Sequence, residues 1–118
     1  MTERTDEEIA KDVQSGNPAA FGLLIDRYEA KLVRYGRRFL REDDDVRYAV
    51  QESFIKAYVN IQSFDLSRRF SPWIYRIAHN EFVNALKKRK ETVSLSEFDT
   101  VFPHPVAKEE TDDVATAA

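Results

Sequence analysis

With 118 residues, 42% of them apolar and 33% charged, the chain can build one hydrophobic core under a heavily solvated surface, and it is too short for two. It has no cysteine, two histidines 25 positions apart and no apolar run near the ~20 residues of a bilayer span, which excludes disulfides, thiol or cysteine–zinc chemistry and membrane insertion. Its net charge of −3 is segregated, with +5 over residues 61–90 followed by −6 over residues 91–118.

Four helices are predicted within residues 5–90. Thr5 and Glu8 form a T-x-x-E capping box for the first, and Gly16 stands where it would stop. Asn17 followed by Pro18 reads as an N-cap with proline at the first helical position. The second helix is expected over residues 18–41, with Phe21, Leu24, Ile25, Tyr28, Leu32, Tyr35 and Phe39 at helical spacing. Gly22 and Gly36 weaken it modestly and suit close helix approach. Asp43, Asp44 and Asp45 supply a cap and favourable negative charge to the third helix, an account better than a metal site because no ligand series follows. That helix carries Val46, Ala49, Val50, Phe54, Ala57 and Ile61 on one face. A loop over residues 62–71 leads to the fourth helix, residues 72–90, whose inward face is Ile74, Ile77, Ala78, Phe82, Ala85 and Leu86. From residue 91 the pattern decays into an acidic linker or tail with Pro103 and Pro105 and a single turn at most, at residues 94–98. The expected fold is all-α: a compact four-helix bundle over residues 1–90 with a disordered or extended acidic C-terminal tail over residues 91–118.

Three surfaces are left over once the core is assigned. On the fourth helix Trp73, Arg76, Asn80, Asn84 and Lys87 form a second stripe, either a DNA-facing set with a ring to stack and amides and cations to bond, or a border tryptophan above ordinary polar residues. On the third, Tyr48, Gln51, Ile55 and Val59 lie together beside Glu52, either as a docking strip for a partner helix or as a face covered within the bundle. In the loop, two arginines, hydroxyls and aromatics suit an extruded base, or else Phe64 and Phe70 plug the core and Arg68 and Arg69 are solvated charges. The basic stretch itself reads as a polyanion-binding surface or as a solvated helix end. No Ser/His/Asp set, phosphate loop or metal-ligand cluster is present, so no catalytic residue, metal site or cofactor is expected; His79 is better read as a helix-surface or DNA-facing residue.

Taken in order, Asn17-Pro18-Ala19-Ala20-Phe21, Val50-Gln51-Glu52-Ser53-Phe54, Phe64-Asp65, Phe70-Ser71-Pro72-Trp73-Ile74-Tyr75-Arg76-Ile77-Ala78-His79-Asn80 and Leu86-Lys87-Lys88-Arg89 resemble region 2 of bacterial RNA polymerase sigma factors, and among these the extracytoplasmic-function group. The resemblance covers about residues 5–90. It implies a cytoplasmic, non-catalytic transcription initiation factor module that docks on core RNA polymerase at the β′ clamp coiled coil. It further implies recognition and melting of the promoter minus-ten element through its non-template single strand. The implied polymerase-binding residues are Tyr48, Gln51, Glu52 and Ile55. The implied DNA-binding residues are Ser63, Asp65, Arg68, Arg69, Trp73, Arg76, Asn80, Asn84, Lys87, Lys88 and Arg89. An anti-sigma factor is a further implied partner.

Two departures stand out. Where the family usually has an acidic residue three positions before the glutamine of V-Q-E, this chain has Tyr48, preceded by Arg47. The family's second helix-turn-helix domain, region 4, is absent from these 118 residues, which fits either an excised domain or a short sigma-like protein. The rival reading is a helical regulatory adaptor that binds a protein partner without promoter recognition.

Overall fold

In the computed structural model the described residues are 3–98, with side chains described to residue 89; the acidic tail beyond 98 lies outside them. The described residues form four α-helices and no strand: α1 (Asp6–Gln14), α2 (Phe21–Gly36), α3 (Asp43–Val59) and α4 (Phe70–Phe98), with short 3₁₀ turns at Pro18–Ala20 and Ile61–Ser63. This is the expected all-α bundle.

Helix α1 starts as its sequence dictates. Thr5 Oγ1 accepts the Glu8 N–H and Glu8 Oε1 accepts the Thr5 N–H, which closes the capping box. Gly16 follows with φ 108°, a left-handed conformation that only glycine adopts without strain. Asn17 differs from expectation: its side chain caps nothing and donates instead to Asp12 Oδ2 at 3.2 Å. Residues 18–20 wind as a 3₁₀ turn before α2 begins. At its other end α2 stops at Gly36, five residues early, because the chain tightens there; the N–H groups of Phe39 and Leu40 both bond the Gly36 carbonyl, which drops Leu40 into the core.

The aspartates at the head of α3 occupy its first turn without capping it. Glu42 is the N-cap residue and makes no side-chain cap bond, so the favourable term is charge against the helix dipole. Asp43 pairs with Arg37 at 3.1 Å and with Arg47 at 2.8 Å. Helix α4 begins two residues earlier than expected. Pro72 therefore falls in the first turn, where its missing N–H has no partner to lose. The helix also runs on past residue 90 to Phe98, through the segment where a single turn was expected.

The core matches the periodic pattern closely. Every expected α3 position is buried, as are Ile74, Ile77, Ala78 and Phe82 of α4, with Ala85 and Leu86 packed at its margin. The two α2 glycines differ. A Cβ at Gly36 would lie 2.6 Å from Phe82 Cε1, so this glycine lets α2 and α4 touch, whereas Gly22 has nothing within 4 Å and serves no close approach.

Candidate polymerase- and DNA-binding surfaces

Helix α3 has two apolar faces, and the bundle covers only one. Its inward face is built from Val46, Ala49, Val50, Phe54 and Ala57 together with Ser53, whose hydroxyl satisfies itself on the Ala49 carbonyl at 2.7 Å. On the other side Tyr48 is 64%, Ile55 54% and Val59 70% exposed, with Gln51 exposed and Glu52 half-buried beside them. These residues are spaced so that they share one helical face. Among the described residues no helix packs over that strip. The exposed reading therefore holds, and α3 presents a row of apolar groups flanked by an amide and a carboxylate. Arg47, next to Tyr48, spends its charge on Asp43. That contact, with Arg37 behind it, holds the Asp43 carboxyl below its usual range.

The loop between α3 and α4 is pinned at both ends by aromatics. Phe64 and Phe70 are buried, with ring centroids 5.5 Å apart, so both act as plugs. Trp73 is half-buried against them, 5.0 Å from Phe64 and 5.6 Å from Phe70. It is thus a border tryptophan with one part in the core and the rest free to meet a ligand. Between the plugs, residues 65–69 stand in solvent.

In and beside that rim three sequence-expected readers, Ser63, Asp65 and Arg68, already have internal partners. Asp65 Oδ1 accepts both the N–H and the hydroxyl of Ser67, at 2.9 and 2.7 Å, and Arg68 lies 3.5 Å from its other oxygen. The Ser67 contacts come first in keeping the Asp65 carboxyl below its ordinary value. Ser63 donates to the Asn60 carbonyl at 2.8 Å. These bonds shape the turn and leave Arg68 and Arg69 projecting from it.

On α4, Arg76, Asn84, Lys87, Lys88 and Arg89 are exposed and Asn80 is half-buried. By helical periodicity Arg76, Asn80, Asn84 and Lys87 follow Trp73 along one side, whereas Arg89 lies on another. Arg89 also reaches across to Asp45 at 2.7 Å, which the sequence reading did not anticipate because the two are 44 positions apart. His79 contacts the Tyr35 hydroxyl through Nδ1 at 2.9 Å and meets the Phe39 ring edge-to-face at 5.3 Å, an aromatic surface contact. Among the described residues no group of three or more histidine, aspartate or glutamate side chains is arranged to hold a metal, and no helix is long and apolar enough to cross a membrane.

Helix α1 was missed as a contributor. Gln14 at its end and Glu7 near its start both bond the loop backbone, and Asp6 takes the Tyr28 hydroxyl and pairs with Arg27 at 2.8 Å. No local pattern signals such contacts, because each joins residues far apart in sequence.

A bundle of four helices with an open apolar strip on α3, a pinned loop and a cationic α4 defines a class, and the comparisons agree with it. Residues 24–92 match the family described as Sigma-70 region 2. The chain belongs to that family, as a region 2 domain of the extracytoplasmic-function type. It is 41% identical over 80 residues to the extracytoplasmic-function sigma factor SigW of Bacillus subtilis, covering 68% of this chain and 43% of SigW. It also resembles an engineered region 2 of sigmaE solved by NMR in complex with GTAAAA, with 42% identity and a TM-score of 0.74 over 80% of this chain and all of that one. CnrH, solved in complex with the cytosolic domain of CnrY, is 28% identical with a TM-score of 0.65, over 83% of this chain and 66% of that one. The chain spans about half the length of the curated relatives it matches.

Proposed function

We propose that this domain acts in transcription initiation, docking on core RNA polymerase through α3 and holding the minus-ten element open by binding its non-template strand. The observation that carries the reading is the likeness to a region 2 domain solved with the single strand GTAAAA, which this chain matches along that domain's whole length. The surfaces supply the physical means. An exposed Tyr48-Ile55-Val59 strip flanked by Gln51 and Glu52 suits packing against another helix, and the β′ clamp coiled coil is the partner that the family implies. The domain is proposed to work without catalysis, in the cytoplasm and with no cofactor.

Opening a duplex unstacks bases at a cost of a few kcal/mol per step. The free part of Trp73 offers a ring on which a base can stack, worth about 1–3 kcal/mol per base. Arg68, Arg69 and the α4 cations Arg76, Lys87 and Lys88 add phosphate contacts, while Asn80 and Asn84 are placed to bond base edges or sugars. Ser63 and Asp65 shape the turn that presents these groups. A protein inhibitor would compete by covering the α3 strip or the loop; the likeness to CnrH, which was solved with the cytosolic domain of CnrY, supports such a partner.

The test is capture of bacterial core RNA polymerase by this chain and by a Gln51→Ala, Glu52→Ala double variant. Capture that falls in the folded variant supports docking on α3. A folded wild type that captures no polymerase refutes that docking, and the adaptor reading, favoured by Tyr48 standing in place of an acidic residue, then takes its place.

A further inference from the structure

Helix α1 belongs to neither surface, yet it holds the loop at both ends. Gln14, the last residue of α1, donates through Nε2 to the Ile61 carbonyl at 2.8 Å and to the Phe64 carbonyl at 2.9 Å. One amide group thus spends both its hydrogens, one on the first residue of the 3₁₀ turn that starts the loop and one on the residue just past its end. Gln62 answers from the loop, donating through Nε2 to the Gln14 carbonyl at 3.1 Å. At the far end Glu7 Oε2 accepts the N–H of Phe70, the first residue of α4, at 2.7 Å. Residues 65–69 between these tethers are exposed; bonds from Asp65 to Ser67 and Arg68 shape the turn from within, and the tethers set where that turn sits on the bundle.

We infer that Gln14 is a positioning residue for base selection: it fixes the turn at residues 61–64, and through it the rim that reads a captured base. The inference rests on the proposed reading of this loop as the one that captures a base. Gln14 need not touch DNA. It acts by holding the Phe64 carbonyl and by adding a second donor to the Ile61 carbonyl, which also takes the Phe64 N–H at 3.1 Å, and with them the backbone that carries Asp65 and Arg68.

The experiment presents the full chain with a single-stranded DNA library randomised at six positions and measures which sequences are enriched. The variants are Gln14→Leu, which has no donor, and Gln14→Glu, which keeps the shape but turns carboxylate oxygens toward the two carbonyls. Wild type is expected to enrich a sequence in which replacing one base lowers affinity about tenfold or more. In both variants that penalty shrinks to less than about threefold, further in Gln14→Glu, while affinity for the unselected pool, which phosphates dominate, and capture of core polymerase stay within about twofold. A purely structural role would lower all three together, and that result overturns the inference. So does unchanged selectivity in the variants, which leaves the loop reading standing. A wild type that enriches no sequence overturns the loop reading and this inference with it. Should Gln14→Leu and Gln14→Glu fail to fold, Gln62→Ala removes the answering bond from an exposed position. It is expected to lower selectivity in the same sense, and unchanged selectivity there refutes the inference equally.

Discussion

Replacing Gly36 with alanine should destabilise the domain although it removes a glycine from a helix. A Cβ at this position would lie 2.6 Å from Phe82 Cε1, 2.7 Å from its Cζ and 3.0 Å from Val46 Cγ1. Comfortable carbon–carbon contact begins near 3.5 Å, so the ring must retreat by somewhat less than ~1 Å. Phe82 has nowhere to go: it is fully buried, stacked on Phe39 at 5.7 Å and set edge-on to Tyr35 at 5.9 Å. Overpacking of this kind costs about 1–3 kcal/mol. The gain from replacing a helical glycine is at most about 1 kcal/mol, and less here because Gly36 is the last residue of α2. The net loss expected is about 1–2 kcal/mol, read as a lower urea midpoint with an unchanged slope. Gly22→Ala is the internal control, since nothing lies within 4 Å of its Cβ position, and it should stabilise by about 0.5–1 kcal/mol. A Gly36→Ala protein as stable as wild type, or more so, would refute the claim that this glycine exists to seat α2 against Phe82.

Thr5→Ala removes the capping box of α1 and should cost about 1 kcal/mol, visible as a fall in Tm of roughly 4–8 °C. Burial, and after it the hydrogen bond to Asp6, push the Tyr28 phenol up from 10.0 to about 12. Its contribution to stability is therefore complete below pH 10 and lost as pH rises toward 12, because the unfolded chain ionises first; alkaline unfolding should show a loss of up to ~2 kcal/mol that Tyr28→Phe lacks. Ile55→Glu should abolish capture of core polymerase while leaving thermal stability within about 0.5 kcal/mol, since the side chain is 54% exposed. Asp45→Asn should release Arg89 from its 2.7 Å partner and steepen the salt dependence of single-strand binding by about 0.7 in log–log slope, with no change in slope counting against a DNA role for Arg89.

What was legible in the sequence is what repeats at short range. The buried faces of α2, α3 and α4 follow from a 3.6-residue period that adjacent residues enforce on one another, and the capping box of α1 needs only four positions. Helix ends were read less well, because they depend on single contacts. The end of α2 follows from the carbonyl of Gly36 taking two N–H groups, and the start of α4 from a carboxylate 63 positions away. The loop illustrates the same limit. Composition marked residues 62–71 as the place where a base could be read, and the structure keeps Arg68 and Arg69 in solvent. It also turns Phe64 and Phe70 inward and ties Ser63 and Asp65 into the turn, choices that belong to tertiary packing.

Helix α3 shows why surfaces are harder to read than cores. The sequence marked the inward face of α3, but no local rule said whether a second element of the bundle would cover the Tyr48-Ile55-Val59 face as well. In the bundle small Ala49, Ser53 and Ala57 face inward among Val46, Val50 and Phe54. The large groups Tyr48, Ile55 and Val59 are left outside. Stability alone would favour the reverse, since burying a large apolar side chain gains about 1.5–3 kcal/mol over leaving it in water. A helix that forgoes that gain along one continuous strip, with Gln51 and Glu52 beside it, fits the proposed docking on a second surface. The proposed docking rests on the arrangement of α3, and loss of capture in Ile55→Glu would test it independently of any DNA contact.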